Sequence, residues 1–350
     1  MKDDRRRIIV DAHEDIAFNA VTLGQDFLLS AFAKRASGSS QWGVPTVGLP
    51  EVKEANIRVV FASIWAAACH NPTNLLVHPC YETAEEACEL GLQQLSYYQK
   101  LLRNPELSLL TTKRAVNDVT DDGYRLGLLL SMEGADPILS PKHLNEWVAK
   151  GLRVIGLAHG RTRYAGGTGQ PAPLTELGRD LLLEMERQHV ILDTSHLAEE
   201  SFFEALAVFH GPVIATHSNC RAIIPTDRQL SDEMIQAMVQ REGIIGGVLF
   251  NKFLSQDWEK NGRRKETVTL SHFVKQIEHI CDVAGDTKHV GIGSDLDGGF
   301  GRESIPAEMD TIADLPKIAV ALSEAGFSDA EVDCILGKNW LRFLNQALPE

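Results

Sequence analysis

A (β/α)8 barrel of the TIM type, an α/β fold, is the class that this 350-residue chain predicts, and three observations point to it. Short apolar runs, many of them rich in β-branched residues, recur eight times along the sequence. Stretches with helical spacing separate most of them. No Gly-rich phosphate turn follows the first run, as an open nucleotide-binding sheet would need, so strands alternating with helices over this length fit a closed barrel better.

The runs fall at 7–11, 58–64, 127–131, 153–157, 190–193, 212–215, 243–249 and 289–293. Helical periodicity marks 83–102, 143–150, 174–188, 201–209, 231–241, 270–284 and 312–325. Three helices carry start signals: Ser140 before Pro141, Pro173 before Leu174 with Glu176 in the first turn, and Ser231 before Asp232 and Glu233. The stretch 16–56, with Gly38, Ser39, Ser40 and Gly43, is too long for a simple connection and reads as a lid or substrate loop. Residues 328–348 predict a closing amphipathic helix. No linker-like stretch and no internal repeat divides the chain, so residues 1–350 are read as one domain.

Composition narrows the function. With 34 Lys and Arg against 48 Asp and Glu the formal net charge is −14, which argues against a nucleic-acid partner. The short basic clusters at 5–7 and 263–265 are solvated surface on this reading. No window approaches the roughly 18 apolar residues of a membrane span, and the start MKDDRRRIIVDAHED turns acidic after one short apolar run. We therefore expect a cytoplasmic protein without a membrane partner. The six cysteines, Cys69, Cys80, Cys88, Cys220, Cys281 and Cys334, show no paired spacing and are expected to be reduced thiols.

Barrel enzymes carry their reacting groups at the C-terminal ends of the strands, so the residues standing where each apolar run stops are the informative ones. The first run ends in Asp11-Ala12-His13-Glu14-Asp15, where a period of two puts Asp11, His13 and Asp15 on one face. Later runs end at Glu133 in SMEGAD, His159 in GLAHG, His196 in LDTSH, His217 in ATHSN and Asp295 in GIGSDLDGG. Any one of these has an ordinary structural explanation; six on one rim do not. Imidazole with carboxylate suits zinc, and the count suits two ions. His13, Asp15 and Glu133 could hold the first, and Glu133, His196 and His217 the second, with Glu133 as the bridge. A pair of divalent ions can acidify a shared water and polarise a carbonyl, so amide hydrolysis is the natural use.

Taken together, DAHED, SMEGAD, GLAHG, PLTELGRDLLLEM with LDTSH, VIATHSN and HVGIGSDLDGG resemble the membrane dipeptidase (renal dipeptidase) family over nearly the whole chain. The resemblance implies a metal-dependent-hydrolase barrel with a binuclear zinc site of His13, Asp15, Glu133, His196 and His217, and hydrolysis of small dipeptides by a metal-bridging hydroxide. It implies that Asp295 is the catalytic acid-base, with Asp297 the lesser candidate, and that His159 steadies the oxyanion. Arg228 would hold the substrate carboxylate, with Arg221 as a nearby competitor. A homodimer is the subunit arrangement it suggests. Three departures stand beside it. Membrane anchoring is not carried over; the loop GRTRYAGGTG after His159 differs from the family's asparagine-containing one; and Glu14 replaces a frequent asparagine, at a position expected to face away from its neighbours. The loop keeps open an alternative substrate, a non-peptide amide or a lactone. A barrel that binds metal or ligand without turnover is the third reading, and the presence of Asp295 counts against it.

Overall fold

Nine parallel strands form a single sheet in the computed structural model, which describes residues 7–38, 42–71, 77–121 and 123–350. The strands are β1 (Ile9–Glu14), β2 (Ile57–Trp65), β3 (Leu107–Leu109), β4 (Leu126–Glu133), β5 (Leu152–Gly156), β6 (Ile191–Asp193), β7 (Val213–Ala215), β8 (Ile244–Gly247) and β9 (Val290–Ile292). Their order is β2-β1-β9-β8-β7-β6-β5-β4-β3, and β2 also pairs with β4 from Val59↔Gly127 to Trp65↔Glu133. That pairing closes eight strands into the predicted barrel. The three-residue β3 lies outside the ring, against the start of β4.

Alternation along the strands builds two apolar layers. Val10, Val59, Phe61, Leu129, Val154, Ile191, Ile214 and Ile244 belong to one buried cluster, and their strand neighbours Ile9, Val60, Ala62, Leu128, Leu130, Ile155, Leu192 and Ile245 belong to another. The first cluster includes Trp340, Phe343 and Leu344 of the closing helix, so that helix plugs the barrel. Trp340 meets Phe61 edge-on at 5.3 Å and donates from Nε1 to the Ile292 carbonyl at 3.0 Å. Gly291 makes room for it, since a Cβ there would stand 2.2 Å from the indole nitrogen.

Several expectations change in detail. The stretch 16–56 is not bare loop: it carries helices Ile16–Leu23, Ala31–Ala36 and Leu49–Glu54. Within it Ser39 and Ser40 lie outside the described residues, as do Arg5 and Arg6 of the basic cluster. The helix expected to start after Pro173 starts at Glu176, because the Thr175 hydroxyl, not the proline, satisfies an end N–H (that of Gly178). Ser231 caps Asp232–Gln240 as expected, accepting from Met234 N, whereas Ser140 heads only a 3₁₀ turn and makes no side-chain cap. Helix Lys113–Asp121 was not anticipated. The closing segment is helical throughout, with a π turn at Cys334–Lys338.

The cysteine expectation is overturned for one pair. Cys69 and Cys80 form a disulfide, with Cα atoms 5.1 Å apart. Compartment reasoning had no access to this contact, because spacing alone cannot show which thiols a loop brings together. Cys88, Cys220, Cys281 and Cys334 are free. Among the described residues no helix is long and apolar enough to cross a membrane.

Candidate metal centre

Each predicted metal ligand stands at or just past a strand's C-terminal end, and so do the predicted catalytic residues His159 and Asp295. His13 lies in the last turn of pleat of β1 and Asp15 directly after it, Glu133 closes β4, and His159, His196, His217 and Asp295 follow β5, β6, β7 and β9 within three residues. Closure of the barrel therefore gathers side chains that are far apart in sequence onto one rim. His196 and Asp295 sit in the left-handed backbone region, with φ of 65° and 60°. Such a conformation costs a non-glycine residue about 1–3 kcal/mol and persists where the surroundings dictate it.

Glu133 is at the middle. Its Oε2 lies 3.6 Å from His13 Nε2, and its Oε1 lies 3.0 Å from His196 Nε2 and 3.3 Å from His217 Nε2. His13 Nε2 is 3.8 Å from Asp15 Oδ1 and 4.0 Å from Asp295 Oδ1. Ligand atoms of His13, Asp15 and Glu133 form one compact group and those of Glu133, His196 and His217 a second; His13, His217 and Asp295 form a third. The two groups that share Glu133 are the ones anticipated from the strand ends.

Burial shapes the charges. Desolvation, reinforced by neighbouring His217, holds His13 well below the ordinary imidazole range, and burial pushes His217 down to about 3. Burial and the charge of Arg228 lower His196 likewise. Asp15 is driven well up by burial and by Glu133, and Asp295 by burial, Asp15 and Glu133. Neutral imidazoles cannot balance crowded carboxylates; divalent cations can. The donor set fits such ions on a second ground: His13 Nδ1 and Nε2 and Asp15 Oδ1 are buried with no hydrogen-bond partner among the described residues.

The remaining predicted residues separate clearly. His159 Nε2 lies 3.9 Å from Glu133 Oε1, and its ring meets Trp65 edge-on at 5.0 Å. Arg228 is 6% exposed, donates from Nη2 to the His217 carbonyl at 2.6 Å and from Nη1 to Ser218 Oγ at 3.2 Å, and lines the same cleft. Arg221 is turned to Glu199 and the Gln229 carbonyl and is not among the cleft's lining residues. Asp297 is committed elsewhere: its carboxylate accepts from Thr46 N and Oγ1 at 2.8 and 2.7 Å and from Val47 N at 2.9 Å. Asp11 accepts from the backbone N–H groups of His13 and Ser294 and so supports the centre from behind.

Glu14 corrects a prediction. An irregular register between Asp11 and Glu14 breaks the simple alternation, and Glu14, expected to face away, is buried beside Asp11 with Ser294 Oγ between them at 2.8 and 2.6 Å. Both carboxylates accept from the Ser294 hydroxyl, and burial together with the charge of Asp11 raises Glu14 well above its ordinary value.

The centre opens into a cleft of about 990 Å³, whose walls include Trp42, Trp65, Val77, Phe250 and Phe253 together with Lys252 and Asp227. None of these was anticipated; all but Trp65, which closes β2, come from connections rather than strand ends. Also missed were two threonines behind the histidines. Thr216 Oγ1 lies 2.8 Å from His217 Nδ1 and donates to Asp193 Oδ2 at 2.5 Å, and Thr168 Oγ1 lies 3.2 Å from His196 Nδ1.

Comparison with known proteins agrees with this geometry. Residues 4–348 match the family model of membrane dipeptidase, peptidase family M19. A protein of Klebsiella pneumoniae encoded in the pqqA 5′ region is 29% identical over 264 residues, covering 72% of this chain and 94% of that one. Dipeptidase tcpJ of Claviceps purpurea is 29% identical over 232 residues, 64% of this chain and 52% of its own length. Among solved structures, a metallopeptidase called dipeptidase AC superposes with a TM-score of 0.83 at 25% identity, covering 99% of this chain and all of that one. A metallopeptidase of Rhodobacter sphaeroides, solved with a phosphinate mimic of L-Ala-D-Ala, gives 0.82 at 24% identity, covering 98% of this chain and 99% of that one. The chain belongs to the membrane dipeptidase family of metallopeptidases, peptidase family M19.

Proposed function

We propose that this metallo-dipeptidase works with two zinc ions, that His13, Asp15 and Glu133 hold one and Glu133, His196 and His217 the other, and that its substrates are small dipeptides with a free carboxylate. The observation that carries the reading is the carboxylate of Glu133, whose two oxygens face two separate groups of donors. Two such ions, when bound, supply an acidified water and a polarised carbonyl.

The chain's own residues do the rest. Asp295, raised by burial and neighbouring carboxylates, accepts a proton from the attacking water at its carboxylate and returns it to the departing amine nitrogen. His159, facing the cleft from beside Glu133, donates to the oxygen that gains charge as the carbonyl becomes tetrahedral. Arg228 lines the cleft with a guanidinium already oriented by His217 and Ser218, and would present it to the substrate carboxylate. Trp42, Trp65 and Val77 exclude water on one side of the cleft and fit an apolar side chain. A similar protein's complex with a dipeptide-mimicking phosphinate supports the substrate class.

The test is a dipeptide panel run with the purified enzyme before and after complete chelation, with lactones and cyclic amides as further substrates. Dipeptide turnover that disappears with the metal and returns on zinc addition is expected. Turnover that survives full metal removal, or turnover of only the non-peptide compounds, would contradict the proposal.

A further inference from the structure

The loop after His159 packs on His196. Gly166 and Gly167 run antiparallel to 196–198: Ala198 N donates to the Gly166 carbonyl at 3.0 Å, and Thr168 N donates to the His196 carbonyl at 2.9 Å. Gly167 permits this approach, since a Cβ there would stand 2.8 Å from the His196 carbonyl oxygen and 2.3 Å from that of Gly160. Thr168 Oγ1 then reaches the imidazole itself, 3.2 Å from Nδ1. Gly169 N anchors the far side of the turn on Asp227 Oδ2 at 2.7 Å.

We infer that Thr168 is a positioning residue, whose hydroxyl oxygen accepts the Nδ1 proton of His196 and thereby fixes the tautomer that leaves the Nε2 lone pair facing the centre. The chemistry requires such a choice. His196 Nε2 and His217 Nε2 are 3.0 Å apart, both beside Glu133 Oε1. If both are to ligate, both must carry their proton on Nδ1. His217 is given that tautomer by Thr216, which is itself backed by Asp193. His196 has Thr168 in the corresponding place. The backbone bond from the same threonine holds the peptide of a left-handed residue, so one side chain and its own N–H fix both ring and main chain. The inference rests on the proposed ligand role of His196.

Histidine tautomers in metal-free protein are read by long-range 1H–15N NMR, and affinities for Zn2+ by competition with a chromophoric chelator. Wild type and T168S should show a larger Nδ1–H population of His196 than the variants that lack the hydroxyl. T168V and T168A should shift it toward the Nε2–H form and weaken one of two zinc equivalents by about 10–100-fold, with T168S restoring it. An unchanged tautomer in both T168V and T168A, or zinc affinities within about twofold of wild type, would overturn the inference. Should wild type bind no zinc, the proposed metal centre fails, while the tautomer result still decides the role of Thr168.

Discussion

Glu133 Oε1 lies 3.0 Å from His196 Nε2, and the same carboxylate's other oxygen is turned to His13. A single side chain at the end of β4 thus faces both groups of donors. E133Q keeps the shape but loses the charge and one acceptor, so it should bind less zinc than wild type and lose roughly 10³-fold or more in kcat/KM. Metal content and steady-state kinetics on one preparation check this; full occupancy with unimpaired turnover would remove Glu133 from the bridging position.

Asp295 and Asp297 are two residues apart and differ in what surrounds them. Asp295 borders the cleft, while Asp297 spends its oxygens on Thr46 and Val47. D295N should retain its metal and lose about 10²–10⁴-fold in kcat, the range for a general acid-base. D297N should instead lose about 1–3 kcal/mol of stability, the cost of disturbing buried hydrogen bonds to a charged acceptor, with kcat changed far less. Kinetics and urea denaturation of both variants distinguish the roles, and a reversed pattern would exchange them.

Arg228 is buried beside His217, so its guanidinium is available to a substrate only from the cleft side. R228K should reduce kcat/KM by about 10–150-fold, equivalent to the 1.5–3 kcal/mol of a charge-assisted contact. The effect should fall mainly on KM, and should shrink for dipeptide amides that lack the carboxylate. An equal loss on acids and amides would assign Arg228 to the scaffold alone.

The depressed pKa of His217 has a consequence for the metal-free protein. Folded His217 takes a proton only near pH 3, against 6.5 for the unfolded side chain. The unfolded chain therefore binds the proton first, and stability is lost as pH falls from 6.5 toward 3. H217N removes that titration. Between pH 7.5 and 5.0, metal-free wild type should lose about 2 kcal/mol more than H217N, from about 1.4 kcal/mol per pH unit. Urea denaturation at both pH values measures the difference; parallel losses would mean that His217 is not held neutral.

Much of this was legible in the chain because long buried strands write themselves plainly. The runs within Ile57–Trp65 and Leu126–Glu133 are apolar almost throughout, and barrel geometry makes the residue at a strand's end a site candidate. The three-residue strand Leu107–Leu109 is too short to show a period. Thr168 and Asp193 escaped notice because their roles depend on partners 28 and 23 positions away, Thr168 on His196 and Asp193 on Thr216. Glu14 was misplaced because an irregular register at a strand end cancels the alternation on which its orientation was inferred. The Cys69–Cys80 bridge goes with a backbone bond from Cys69 N to the Tyr81 carbonyl at 3.0 Å, a contact that composition does not encode.

The most direct test of the binuclear centre is elemental analysis of the purified protein, followed by stepwise zinc addition to the chelated form. Two zinc ions per chain, with dipeptide turnover returning as the sites fill, is the predicted result. A fully active enzyme with one ion or none would contradict it.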